Sequence, residues 1–142
     1  MRKPKPHQQP SIINSILKQK PDYEIDNQTR FLLSFSHLDS TQGDSLKDWE
    51  NNGMLARAID TLSGLCKDNL TNQLGNQKFK NYGSFPPKNK TDYIFPKHIT
   101  EEASWSSIHV TGKQCIIGHV VRNVFYVVFL DGQHRFWISE LS

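Results

Sequence analysis

The stretch that most constrains this chain runs from Cys115 to Trp137. Two runs rich in Val, Ile, Phe and Tyr are cut by Arg122-Asn123 and then by Asp131-Gly132. β-Branched and aromatic side chains fit a pleated, half-buried surface, and Asp-Gly tolerates the positive φ of a tight hairpin. The pattern reads as three antiparallel strands over roughly 115–122, 124–130 and 133–138. Two-residue turns would set His119 opposite Tyr126, and Tyr126 opposite Trp137. One face then carries Ile116, Gly118, Val120, Phe125, Val127, Phe129, His134, Phe136 and Ile138, nearly all apolar, and is expected to be the core side. The other carries Cys115, Ile117, His119, Tyr126, Val128, Gln133, Arg135 and Trp137, a mixture expected to form a working surface.

The remaining segments supply what such a sheet packs against. Phe31, Leu33, Phe35 and His37 alternate with Leu32, Ser34, Ser36 and Leu38, a period-two strand ending at Asp39. Ser45 with Asp48 three residues on is a capping-box start, and Leu46, Trp49, Leu55, Ile59, Leu62, Leu65 and Leu70 keep a helical stripe. Asn52-Gly53 interrupts it, so the stripe is one kinked helix or a helix pair. Trp105 to Thr111 reads as another strand. The fold class expected is α+β, an antiparallel sheet ending in a C-terminal meander, with one or two helices on one face.

At 142 residues the chain has room for one domain. Its mean hydropathy of −0.60 is low for a compact fold. The deficit falls in residues 1–29, rich in Pro, Lys and Gln, which read as a flexible tail before a single domain over 30–142. Within the tail, Ile12, Ile13, Ile16 and Leu17 stand at helical spacing, a short amphipathic piece suited to docking. No apolar run approaches the roughly 20 residues that cross a bilayer, so no membrane partner is expected. There is no apolar region behind Arg2, Lys3 and Lys5 to make a secretory signal, and Cys66 and Cys115 have no paired spacing. A cytoplasmic protein with reduced thiols is expected.

A net charge of +3 is mildly basic and compatible with nucleic-acid contact. From Lys78 to His98, five lysines, Lys88 and Lys90 among them, are interleaved with Phe79, Tyr82, Phe85, Tyr93 and Phe95. Charge for phosphates and π-faces for bases suit a single strand; a solvated loop pinned by its rings has the same composition. No P-loop, dinucleotide fingerprint, zinc-protease or serine-hydrolase motif is present. His98, His109, His119 and His134 lie ten or more residues apart, without the short Cys spacing of a tetrahedral site, so neither metal nor other cofactor is expected. Histidine titrates near neutrality, so His119 beside Tyr126 suits proton transfer, and Arg135 suits a developing phosphate charge. Tyr126 and Trp137 suit stacking on bases, and Arg122 adds a cation at the hairpin.

The element order and the closing run Cys115-Ile116-Ile117-Gly118-His119, Val124-Phe125-Tyr126-Val127-Val128 and His134-Arg135-Phe136-Trp137 resemble the RelE/ParE/HigB superfamily of small bacterial toxins. His134 and Arg135 match that family's terminal His-Arg, Trp137 stands near its terminal Tyr, and Lys113 falls in its basic turn. Cys115 stands where the family usually carries Arg. The resemblance implies a metal-independent endoribonuclease that cleaves mRNA on the ribosome and is neutralised by an antitoxin, with His119, Arg135, His134 and Lys113 as the catalytic set. A second class stays open beside it: a non-catalytic module of a small bacterial family that grips RNA or a protein through its aromatic–basic face.

Overall fold

The computed structural model describes residues 12–14, 30–73 and 77–139. Most of the expected tail lies outside them. The domain opens with β1 (Leu32–Ser34), α1 (Leu46–Asn51), α2 (Leu55–Leu65) and the single turn α3 (Leu70–Gln73). It continues through β2 (Phe79–Gly83), a 3₁₀ turn (Lys88–Lys90), β3 (Ser104–Thr111), β4 (Gln114–Val121) and β5 (Val124–Asp131). The five strands form one sheet in the order β1-β5-β4-β3-β2, an α+β fold. All neighbours are antiparallel except β1, which lies parallel to β5.

Local chemistry explains the helices. Ser45 accepts from the Asp48 amide at 3.0 Å and Asp48 returns the bond to the Ser45 amide at 2.9 Å, closing the capping box. Gly53 takes φ +77°, which ends α1 and makes the stripe a helix pair. Trp49, Ala58, Leu62 and Leu65 then pack on the sheet with Phe31, Phe79, Ile108, Ile116, Phe125, Val127 and Leu130. Ile59, expected in this layer, is 48% exposed.

The β4–β5 hairpin turns at Arg122, φ +57°, and pairs His119 with Tyr126 as expected. The register then shifts. Ile117 pairs with Phe129 and Gly118 with Val127, so Val128 is the extra residue of a β-bulge. Val128 and Phe129 therefore both leave the helix side, and only Leu130 returns to it. This corrects the strict alternation that had placed Phe129 with Phe125 and Val127. Gly118 sits at the bulge because a Cβ there would stand 2.1 Å from the Tyr126 carbonyl oxygen and 2.7 Å from the Phe125 ring.

The expected strand over 133–138 is absent. The Asp131 carboxylate accepts from the backbone N–H of Arg135 and of Phe136, each at 2.9 Å, and from the Tyr93 hydroxyl at 3.2 Å. These bonds take the amides that a ladder would need and curl the segment across the sheet, with His134 at φ +60°. Tyr126 consequently has no Trp137 opposite it.

The face expected to be a working surface is mostly a second core. Trp105, Cys115, Ile117, Val128, Phe129 and Phe136 are buried there, under Tyr93, Ile99, Phe85 and Phe95 of the irregular segment between β2 and β3. Trp105 stacks on Phe129 at 6.0 Å and 11°, and Phe85 meets Trp105 and Phe136 edge-on. Gln42 clamps this segment through both backbone groups of Ile94, at 2.8 and 2.7 Å. Three of the loop's rings thus pin it to the domain.

Candidate functional site

On β2 the side-chain period is two, so Phe79 enters the helix-side core while Lys78, Lys80 and Tyr82 share the opposite face. Beyond the sheet margin, Trp137 of the curled C-terminal segment lies flat on Tyr82, ring centroids 4.7 Å apart and planes 17° apart. The Lys80 ammonium stands 5.3 Å from the Tyr82 centroid. Together with Lys90, His109 and His134 these residues wall an open groove of about 640 Å³, with Ser107 and Cys115 at its base.

The groove's chemistry is cationic and aromatic. Burial pushes the Tyr82 phenol up, against a hydrogen bond with Ser107, so the ring stays neutral and presents a π-face. Burial and then the Asp131 carboxylate push the Cys115 thiol up to about 12, which removes it as a nucleophile. The exposed His109 ring donates from Nε2 to the Gly112 carbonyl oxygen at 2.9 Å, leaving Nδ1 on its other side. His134 is exposed at the rim.

His119 belongs to a different place. It is 2% exposed, between its cross-strand neighbours Trp105 on β3 and Tyr126 on β5. Across the sheet His119 has Trp105 on one side and Tyr126 on the other, and beyond Tyr126, where Trp137 was expected, stands Ser34 of β1. His119 Nε2 lies 3.0 Å from His37 Nδ1, and both imidazoles stack on the Tyr126 ring, at 5.1 and 4.4 Å. His98 donates from Nε2 to the His37 carbonyl oxygen at 2.8 Å. Among the described residues, His119 Nδ1 and the Trp105 indole nitrogen are buried without a partner. Burial first, then His37 and His98, lower the His119 imidazole to about 4, so it is neutral at pH 7 and closed to solvent.

The four residues expected to act together are therefore dispersed. Arg135 is exposed and bound through Nε to Asp92 at 2.6 Å, beside a cleft lined by Asp44 and Asp131. Asp131 pairs with Cys115, four residues along β4 from His119, a separation of roughly 13 Å along the strand. Lys113, in the β3–β4 turn, reaches Gln133 at 3.4 Å. His134 alone of the four lines the groove. Of the residues expected to bind RNA, Trp137 and Lys90 line it. Lys88 is exposed on the 3₁₀ turn, Arg122 sits at the β4–β5 turn, and Tyr126 is occupied with the histidine pair.

Lys78, Lys80 and Tyr82, all within the basic–aromatic stretch singled out over 78–98, complete the groove together with His109, which was not among the expected site residues. The signal that sets the first three on one face is the Lys-x-Lys-x-Tyr spacing that runs into β2. Among the described residues no group of three or more His, Cys, Asp or Glu is arranged to hold a metal ion, and no helix is long and apolar enough to cross a membrane. No protein-family model, no curated protein and no solved structure matches the chain.

Proposed function

We propose that the protein binds single-stranded RNA in the groove between β2 and the C-terminal segment. The observation that carries the reading is the Tyr82–Trp137 stack walled by Lys78, Lys80 and Lys90. A base continues the stack on the Trp137 ring, and the lysines take the flanking phosphates. Base–aromatic stacking contributes about 1–3 kcal/mol per base and tolerates any sequence, so affinity without strong sequence preference is expected. RNA as the ligand goes with a cytoplasmic location.

A cleaving, toxin-like form of this reading requires His119 and Arg135 at one phosphate. Burial of His119 and the pairing of Arg135 with Asp92 favour binding without cleavage. The ribosome and an antitoxin as partners belong to the cleaving form and stand or fall with it.

The test is fluorescence anisotropy with a labelled oligoribonucleotide across a salt series. Binding should weaken with salt, and Lys80→Ala with Lys90→Ala should lower the slope of log K against log salt by about 1–2. Trp137→Ala should weaken binding about tenfold or more, whereas Trp137→Phe, which keeps a ring, should be mild. Affinity unchanged in all three variants would overturn the site. RNA recovered intact supports binding alone; cleavage abolished by His119→Gln would restore the ribonuclease reading.

A further inference from the structure

The helical face carries a second uncovered surface, on the opposite side of the sheet from the groove just described. α2 spends Ala58, Leu62 and Leu65 on the core, yet Leu55, Ala56 and Ile59 line an apolar groove of about 490 Å³. Gly53 leaves its floor open, since a Cβ there would meet nothing within 4 Å. Glu50 and Asp60 stand among its lining residues. Ile59 is 48% exposed and the neighbouring Leu46 on α1 is 43% exposed.

The chain contains a segment of matching apolar periodicity and opposite charge. Ile12, Ile13, Ile16 and Leu17 fall on one side of a helical period, and Lys18 and Lys20 follow directly. Residues 12–14 are helical, with Ile12 62% and Ile13 53% exposed. Among the described residues, then, Ile12, Ile13 and the apolar groove are all left uncovered. Two chains exchanging segments about a twofold axis would cover them at once.

We propose that the α1–α2 groove receives the Ile12–Leu17 segment of a second copy of this chain, in a reciprocal exchange that makes a dimer. The connection allows it. Arg30 enters the domain at the far end of α2, its guanidinium donating to the Lys67 carbonyl oxygen at 3.1 Å. Residues 18–29 span up to about 40 Å when extended, several times the 8–10 Å between packed helix axes. The segment's aliphatic side chains occupy the space above Gly53 and beside Ile59. Lys18 and Lys20 then fall near Glu50 and Asp60. The contact is small, so the dimer forms at high protein concentration and dissociates on dilution.

Sedimentation equilibrium of the full chain over a wide concentration series is the test. Wild type should pass from monomer to dimer, and Ile13→Asp and Ile59→Asp should each raise the dissociation constant about a hundredfold, the loss of one buried aliphatic contact in each of the two equivalent grooves. Mixing the two variants should restore part of the association, because the intact segment of one fits the intact groove of the other. Ile59→Ser is the gentler second variant should Ile59→Asp lower the melting temperature. A wild type that stays monomeric, including one whose segment folds back on its own groove, would overturn the proposal. So would a dimer indifferent to both substitutions, or variants whose mixture associates no better than either alone.

Discussion

His119 is kept neutral by its surroundings, and that has a measurable cost at low pH. The imidazole titrates at about 4 in the fold, against an ordinary value near 6.5. Between those values the unfolded chain binds a proton that the folded chain refuses. Stability from this group is therefore complete above about pH 6.5, falls as pH drops through the window, and levels off below about 4. The loss should reach roughly 2 kcal/mol by about pH 5 and roughly 3 kcal/mol at the bottom of the window. Urea denaturation at several pH values measures it, and His119→Leu should flatten that part of the profile. Protonation would also put a buried charge on His119 against the His37 ring 3.0 Å away, so the loop between β1 and α1 is where opening should begin. Gly118 is constrained more simply. Gly118→Ala forces the Tyr126 carbonyl and the Phe125 ring to move and should cost at least about 1–3 kcal/mol by thermal melting.

Elements whose causes are local were legible in the chain. The Ser45–Asp48 capping box, the break at Gly53, the turn at Arg122-Asn123 and the His119–Tyr126 pairing each follow from neighbours a few residues apart. Two features were not. The bulge at Val128 leaves no mark in a run of Val, Phe and Tyr, where either register buries apolar side chains on both faces. Asp131-Gly132 has two local solutions, a hairpin or a carboxylate that captures the amides beyond it, and Tyr93, nearly forty residues away, favours the second. The groove was only partly legible for the same reason: His109, Trp137, Lys78 and Lys80 meet through tertiary structure. The two cores give a prediction at this scale. Phe125→Ala and Phe129→Ala should each cost on the order of 3–5 kcal/mol, since both rings are fully buried. They should differ in limited proteolysis. Phe129→Ala loosens the segment between β2 and β3 that rests on that core, and should open it to cleavage sooner than Phe125→Ala.

On the scale of the whole molecule, the sheet separates two surfaces, an aromatic–basic groove on one side and an apolar groove on the other. They share no residue. Ile13→Asp should therefore change the sedimentation of the protein while leaving its affinity for a short oligonucleotide within about twofold, as expected of distant, independent sites. A long strand should distinguish the two states, because a paired molecule offers two grooves and gains avidity that the monomer lacks. The parallel placement of β1 against β5 adds a constraint in time. Among the described residues, β1 finds its one sheet partner about 90 residues further along the chain. At roughly 5–20 residues per second, synthesis takes several seconds or more to deliver that partner. During that interval the helix pair has been made and the strands it must cover have not. Phe31, Trp49, Leu62 and Leu65 then lack the β5 side chains they share a core with, and it is in this interval that the nascent chain is most open to aggregation.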